Sequence, residues 1–185
     1  ISGMVETAEN LAKQYEISRE EQDEYSLRSH QRAVAAQESG KFASQIVPIE
    51  IPQRRGDPKI FDKDEGPRGD SSMEVLGRLR PVMKDGTVSA GNASSQNDAA
   101  SVCLLVAEDK LEELGLEAMG FLKGWVVTGC HPATMGIGPV PAVSKLMAKL
   151  GLSIQDMDVI ELNEAFAAQV LAVLFAVHLA VRRGI

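Results

Sequence analysis

Asp158-Val-Ile-Glu-Leu-Asn-Glu-Ala-Phe-Ala-Ala-Gln169 is the stretch on which the reading of the whole chain turns. Val159, Ile160 and Leu162 read as a short buried strand. Ala165 to Val177 read as an apolar helix with small and aliphatic residues on every face. Asn163 stands at the joint between them. In open α/β folds that joint, where a parallel strand hands over to its helix, is the end of the sheet at which ligands bind. A neutral side-chain amide donates two hydrogen bonds without carrying charge, which suits a site that holds a developing oxyanion. Asn is equally suited to capping the helix that follows. The stretch by itself leaves both readings open.

Working outward, the preceding segments repeat the same alternation. Phe121 to Gly129 reads as a strand, and His131 to Pro141 as a Gly- and Pro-rich loop with little freedom to lose on binding. Pro141 falls in the first turn of a helix over Ala142 to Leu150, which Gly151 closes. Strand, loop, helix, strand, helix is the βαβ order of a parallel sheet, so the fold class is α/β. Ser101 to Ala107 is a further buried strand, with Cys103 as a core residue. Lys110 to Leu114 is a short helix ended by Gly115.

The first part of the chain reads differently. Thr7 is placed to cap a helix over Ala8 to Tyr15. Ser18-Arg-Glu-Glu21 is a capping box that opens a second helix running to about Ser39, with Gly40 ending it. Tyr25, Ser29, Arg32 and Ala36 lie along one line of this solvated, amphipathic helix, and His30 is a surface or interface histidine. Ile46 to Ile51 alternates like an edge strand. Pro52 to Gly69 is an irregular loop, too long for a mere connector. Arg68, between Pro67 and Gly69, stands on a stiffened turn from which it can reach a phosphate or stack on a base; the plainer reading is a solvated arginine. Ser72 to Arg80 forms a short helix ending at Pro81. Thr87 to Asp98 is a loop of small and amide residues in which Gly91 permits close backbone approach. It is either a lining for a polar ligand or an ordinary polar turn, followed by a helix or strand from Ala99.

Composition bounds the function. The 185 residues carry 44% hydrophobic and 24% charged side chains, which are globular values. A net charge of −7 argues against nucleic-acid binding. Cys103 and Cys130 make neither a metal-type nor a disulfide spacing, so no metal is expected. The apolar tail is interrupted by Gln169 and His178, which argues against a spanning helix. With no segment resembling a signal peptide, the expected compartment is cytoplasmic.

Gly91-Asn-Ala-Ser94, Met135-Gly-Ile-Gly-Pro139 and Asn163-Glu-Ala-Phe-Ala167 together resemble motifs of the thiolase family, the acetyl-CoA acetyltransferases and 3-ketoacyl-CoA thiolases. Thr7-Ala-Glu-Asn10, Ser18-Arg-Glu-Glu-Gln-Asp23 and Leu79-Arg-Pro81 agree in order and spacing, so that the likeness covers residues 4 to 172. The resemblance implies a partial thiolase-like fold. Residues 1–96 would be a CoA-binding loop domain, 97–117 the end of the N-terminal βαβ half, and 118–185 the start of the C-terminal half. It also implies a Claisen-type acyl transfer through a cysteine acyl-enzyme. Asn163 matches the asparagine that holds a water in the oxyanion hole. Arg68 matches the loop arginine at the nucleotide end of CoA, and Ser94 the serine on the pantetheine arm. Met4, Met83, Ala90, Met135 and Phe166 match positions lining the pantetheine and acyl tunnel. The CoA thioester is a substrate and no further cofactor is implied. Full-length relatives form homodimers or homotetramers.

The departures are equally specific. The family's nucleophilic cysteine falls before Ile1, and its histidine and second cysteine fall after Ile185; neither Cys103 nor Cys130 occupies a matching position. From Val173 onward the family's polar helix end and glycine-rich continuation are lost. The expectation is a thiolase fragment with binding and oxyanion parts but no nucleophile, inactive alone. The alternatives are a noncatalytic CoA-binding or dimerising remnant of the fold, and an α/β module unrelated to CoA.

Overall fold

A computed structural model describes residues 3 to 183; residue 1 of the expected loop domain, its neighbour at 2, and residues 184 and 185 of the tail lie outside the described residues. Helix α1 spans Met4–Gln14 and α2 spans Arg19–Glu38. A two-stranded antiparallel ribbon follows, β1 (Ile49–Ile51) against β2 (Lys59–Phe61), with Glu50 opposite Ile60. Helix α3 is Met73–Gly77, α4 is Leu111–Leu114, α5 is Pro139–Leu150 and α6 is Ala167–Arg183. A 3₁₀ segment over Pro132–Ile137 precedes α5.

The capping box reads true. Ser18 caps α2, its hydroxyl accepting from the Glu21 amide, while the Glu21 carboxylate accepts from the Ser18 amide at 2.7 Å. The Ser18 hydroxyl also donates to that carboxylate at 2.7 Å, and this bond, then the one from the amide, hold the Glu21 carboxyl below its ordinary value. Gly40 and Gly151 follow α2 and α5 with φ of +73° and +65°, the left-handed conformation that Gly adopts at least cost. Thr7, by contrast, is no cap. Helix α1 begins three residues earlier, with Gly3 at its N-cap, and the Thr7 hydroxyl donates back to the Met4 carbonyl at 2.7 Å. Helix α5 likewise starts at Pro139 instead of Ala142, since proline at the first helical position has no amide to leave unpaired. The loop expected over 52–69 contains strand β2, and α3 stops at Gly77.

The core lies where α1, the 132–137 segment and α6 meet. Ala8, Leu11 and Ala12 of α1 pack towards Ala167, Ala168, Val170, Ala172 and Val173 of α6, all buried. Small side chains let these backbones come close. A Cβ on Gly136 would stand 2.8 Å from Gln169 Cγ and 2.9 Å from Leu11 Cδ1, so only glycine fits there. The Asn10 amide donates to the Ala133 carbonyl at 2.8 Å and ties α1 to this segment. At the far end of α1, Tyr15 meets Phe175 edge to face, with centroids 6.0 Å apart. Burying Leu11 alone contributes roughly 1.5–3 kcal/mol.

Three expected strands, two of them expected to be buried, are corrected. Segments 101–107, 121–129 and 158–162 belong to no ladder among the described residues. Val102 is 99% exposed, Val159 83% and Val127 73%. Cys103 is exposed, not a core residue. A parallel strand forms only beside a neighbour that accepts and donates its backbone hydrogen bonds, and an apolar run does not supply that neighbour. Segment 121–129 does keep its helix: α5 leans on it with Leu146 and Leu150 close to Gly124. Lys145 and Lys149 reach the Val127 and Trp125 carbonyls at 3.4 and 3.3 Å. Helix α6 is also less enclosed than an all-apolar helix suggests, for Leu174 and Phe175 are half exposed.

Candidate functional site

The site forms where the loop over Thr87 to Ser94 meets the corner that leads into α6. The Ser94 amide donates to the Ala165 carbonyl, and the Ala167 amide to the Asn92 carbonyl, each at 2.9 Å. Ala93 and Phe166 thereby form an isolated antiparallel bridge. Two stretches more than seventy positions apart in the sequence therefore share one edge, with Ser94 on one side and Asn163 just before the paired residues on the other. Helix α6 begins four residues beyond Asn163, so Asn163 does not cap it. The Asn163 side chain is exposed and without a hydrogen-bond partner among the described residues.

The first part of the loop is held by buried polar groups, while residues 94 to 98 are exposed. Val88 and Ser89 are fully enclosed, and Asn92 nearly so. Glu9 of α1 accepts from the Thr87 and Val88 amides at 2.8 Å and from the Thr87 hydroxyl at 2.9 Å. The Asn92 amide nitrogen donates to Asp23 at 2.9 Å and to the Thr87 carbonyl at 3.1 Å, while its oxygen accepts from the Ser89 amide. Arg19 completes the chain: its Nε donates to Asp23 at 2.7 Å and its terminal nitrogen to the Leu76 and Leu79 carbonyls. Asp23 is thus a buried carboxylate that is both paired and hydrogen-bonded, the condition under which such a charge is tolerated. Gly91 is required by the same packing, because a Cβ there would meet Leu76 and Leu79 side chains at 2.6 Å.

Helix α2 also grips the other side of the site. The Glu164 carboxylate accepts from the Tyr25 hydroxyl at 2.5 Å and from the Ser29 hydroxyl at 2.6 Å. Burial, and then the bond to Glu164, push the Tyr25 hydroxyl up to about 12. Arg28 stacks over the Tyr25 ring at 5.3 Å, and Arg32 joins these residues around a shallow pocket. One turn further on, His30 Nδ1 accepts from the Arg68 amide at 3.3 Å, which brings the Arg68 loop against the same helix. The Arg68 side chain itself is exposed.

The remaining positions distribute around this edge. Met4 begins α1, and Met135 lies in the 132–137 segment that packs on α1 and α6. Met4, Met83 and Met135 are 53%, 39% and 46% exposed, and Ala90 is exposed in the Ser89–Asn92 turn. Phe166 is half-buried. The structure joins Ser94 and Phe166 through the bridge and places Asn163 beside them; Met83 and Arg68 have no hydrogen bond to that edge. No cluster of His, Cys, Asp or Glu suited to a metal occurs among the described residues. No helix of the described residues is long and apolar enough to cross a membrane.

Glu9, Asp23 and Glu164, the three carboxylates that hold the site together, are not singled out by sequence reasoning. The i,i+4 spacing of Arg19 and Asp23 is a readable signal for one ion pair. Tyr25 and Ser29 show the same spacing on one helix line, but their partner is 135 or more positions away.

Family models match along nearly the whole of this chain. The thiolase N-terminal domain matches residues 2–109 and the thiolase C-terminal domain residues 116–183. The chain belongs to the thiolase family. An acetyl-CoA acetyltransferase of Chromobacterium violaceum is 54% identical over 90% of this chain, and a probable acetyl-CoA acyltransferase of Staphylococcus aureus 55% identical over the same share. The chain spans 43% of the length of both curated relatives. Among solved structures, the acetyl-CoA acetyltransferase of Bacillus anthracis superposes with a TM-score of 0.88 at 52% identity, over 95% of this chain and 44% of that one. Human mitochondrial 3-ketoacyl-CoA thiolase in complex with CoA gives 0.82 at 41% identity, over 95% of this chain and 43% of that one. The fold is accordingly a partial thiolase-like α/β fold. Segments 101–107, 121–129 and 158–162, unpaired here, lie within a chain course shared with these structures.

Proposed function

We propose that this chain supplies the CoA-binding and oxyanion-holding parts of a thiolase-type acyl transfer: condensation of acyl-CoA, or thiolysis of 3-ketoacyl-CoA, through a cysteine acyl-enzyme. Asn163 holds a water against the developing enolate oxygen, a task for a neutral donor in a preorganised position. Ser94 bonds the pantetheine arm, and Arg68 meets the nucleotide end of CoA. Met4, Met83, Ala90, Met135 and Phe166 line the tunnel between them. The CoA thioester is the substrate, and no other cofactor takes part. The single observation that carries this reading is the pairing of 92–94 with 165–167, which sets the serine loop and the asparagine corner on one edge.

Within this reading residues 1–96 act as the CoA-binding loop domain, 97–117 end the N-terminal half and 118–185 begin the C-terminal half. The assembled enzyme is a cytoplasmic homodimer or homotetramer. The 185-residue chain by itself has no turnover, because neither Cys103 nor Cys130 matches the family's nucleophilic position. Calorimetric titration with CoA tests the binding half. Arg68→Ala should weaken binding roughly tenfold, as expected on losing about 1.5 kcal/mol of a charge-assisted contact. Unchanged affinity removes Arg68 from the site. Steady thiolysis of acetoacetyl-CoA by the purified chain would refute the inactivity.

A second reading is a noncatalytic, self-associating CoA-binding module. The exposed apolar run at Val102, Leu104 and Leu105 favours it, because monomers rarely leave such a patch uncovered. Ligand preference separates the two: tighter binding of acetoacetyl-CoA than of CoA, lost in Asn163→Ala, supports the acyl-transfer reading, and CoA binding with no acyl preference supports the module.

A further inference from the structure

Outside the positions already assigned, Glu164 has unusually specific surroundings for a side chain next to Asn163. Both of its carboxylate oxygens are engaged, one by the Tyr25 hydroxyl at 2.5 Å and the other by the Ser29 hydroxyl at 2.6 Å. The donors sit four residues apart on α2 and so project from one helix face. Hydrogen bonds to an ionised acceptor are short and about twice as strong as neutral ones. Residues 157 to 163, by contrast, carry no regular structure, and the Asn163 side chain has no partner among the described residues. The Asn163 corner is therefore tied on one side by the Ser94–Ala165 and Ala167–Asn92 bonds and on the other, among the described residues, by Glu164.

The opposite wall hangs on the same helix. Asp23, two residues before Tyr25, accepts from Asn92, and the Asn92 carbonyl in turn accepts from Ala167. Helix α2 thus sets both walls through two carboxylate attachments, one to its own Asp23 and one to Glu164 of the corner. A rigid helix that fixes two loops keeps a donor within the fraction of an ångström that oxyanion stabilisation needs.

We propose that Glu164 is a positioning residue, clamped by Tyr25 and Ser29 so that the neighbouring Asn163 amide is held facing the acyl thioester. The inference rests on the thiolase-type reading given above and deepens it. Glu164 touches no substrate; it acts through Asn163.

Two measurements on the whole chain test it. In nitrogen-15-labelled protein, the backbone amide of Asn163, next to the clamped residue, should show the steady-state heteronuclear NOE of an ordered group. Glu164→Ala, and separately Tyr25→Phe with Ser29→Ala, should drop it to the value of a free loop, while the Ala93 and Ala168 backbone amides stay unchanged. Unchanged order at Asn163 in these variants overturns the proposal. So does a simultaneous loss at Ala93 and Ala168, which would make Glu164 a general prop of the fold. The second measurement compares affinity for acetoacetyl-CoA with affinity for CoA. The variants should lose most of the acyl preference, at least threefold by rough expectation for one weakened hydrogen bond, with CoA affinity retained. Equal loss of both affinities, or an intact preference, overturns it. If the unaltered chain binds neither ligand, the thiolase-type reading falls, and with it the acyl-facing role; the NOE still decides whether Glu164 orders Asn163.

Discussion

Two regions that both carry apolar side chains have opposite fates in this molecule. In α1, α6 and the 132–137 segment, small apolar residues are buried and glycine is fixed by its neighbours. In 101–107 and 121–129, larger apolar residues stand in the open: Leu105 is 77% exposed and Trp125 66%. The difference is one of partners. A helix satisfies its own backbone and needs only a face to pack against, whereas a parallel strand needs a second strand before its apolar side chains can be buried.

That contrast can be broken by substitution. The largest effect is expected from cavity formation in the helical region. Leu11→Ala should cost about 2–5 kcal/mol in urea denaturation, while Leu104→Ala in the open segment should stay within about 0.5 kcal/mol. Equal costs would mean that the exposed segments are in fact packed in solution. A smaller effect is expected from overpacking. Gly136→Ala pushes a methyl into Gln169 and Leu11 and should cost about 1–3 kcal/mol. Gly129→Ala meets nothing within 4 Å and should be close to neutral.

The smallest effect concerns pH and the attachment of the corner to α2. The Tyr25 hydroxyl is pushed up to about 12 from an ordinary 10, first by burial and then by Glu164. A folded-state value above the unfolded one stabilises fully below pH 10, and that contribution fades as pH rises through about 12. Denaturation followed across this window should show a fall in the parent chain that Tyr25→Phe lacks. Identical alkaline profiles would mean that Tyr25 is not bound to Glu164 in solution.

Much of the local structure was legible. Ser18 and Glu21 define the start of α2 because a capping box is a four-residue pattern, complete in itself. Gly151 and Gly115 mark helix ends for the same local reason. The three motifs around Ser94, Met135 and Asn163 were enough to identify the family. The error lay in the strands. Val159-Ile-Glu-Leu162 has the composition of a buried strand, but composition describes a preference and not the neighbour that realises it. Thr7 was misplaced because a threonine near a helix start can cap it or bond back inside it.

By itself, then, the sequence determined the family, the cap that opens α2, the glycines that end α2, α4 and α5, and two residues worth suspecting at the edge, Asn163 and Ser94. Only the tertiary structure decided that residues 92–94 pair with 165–167, that Glu9, Asp23 and Glu164 are what hold that edge, and that the apolar segments lie open. The physical reason is range. Caps and helix periodicity act within a few residues, whereas each of these carboxylates bonds to groups 69 or more positions away, a pairing that no local pattern encodes.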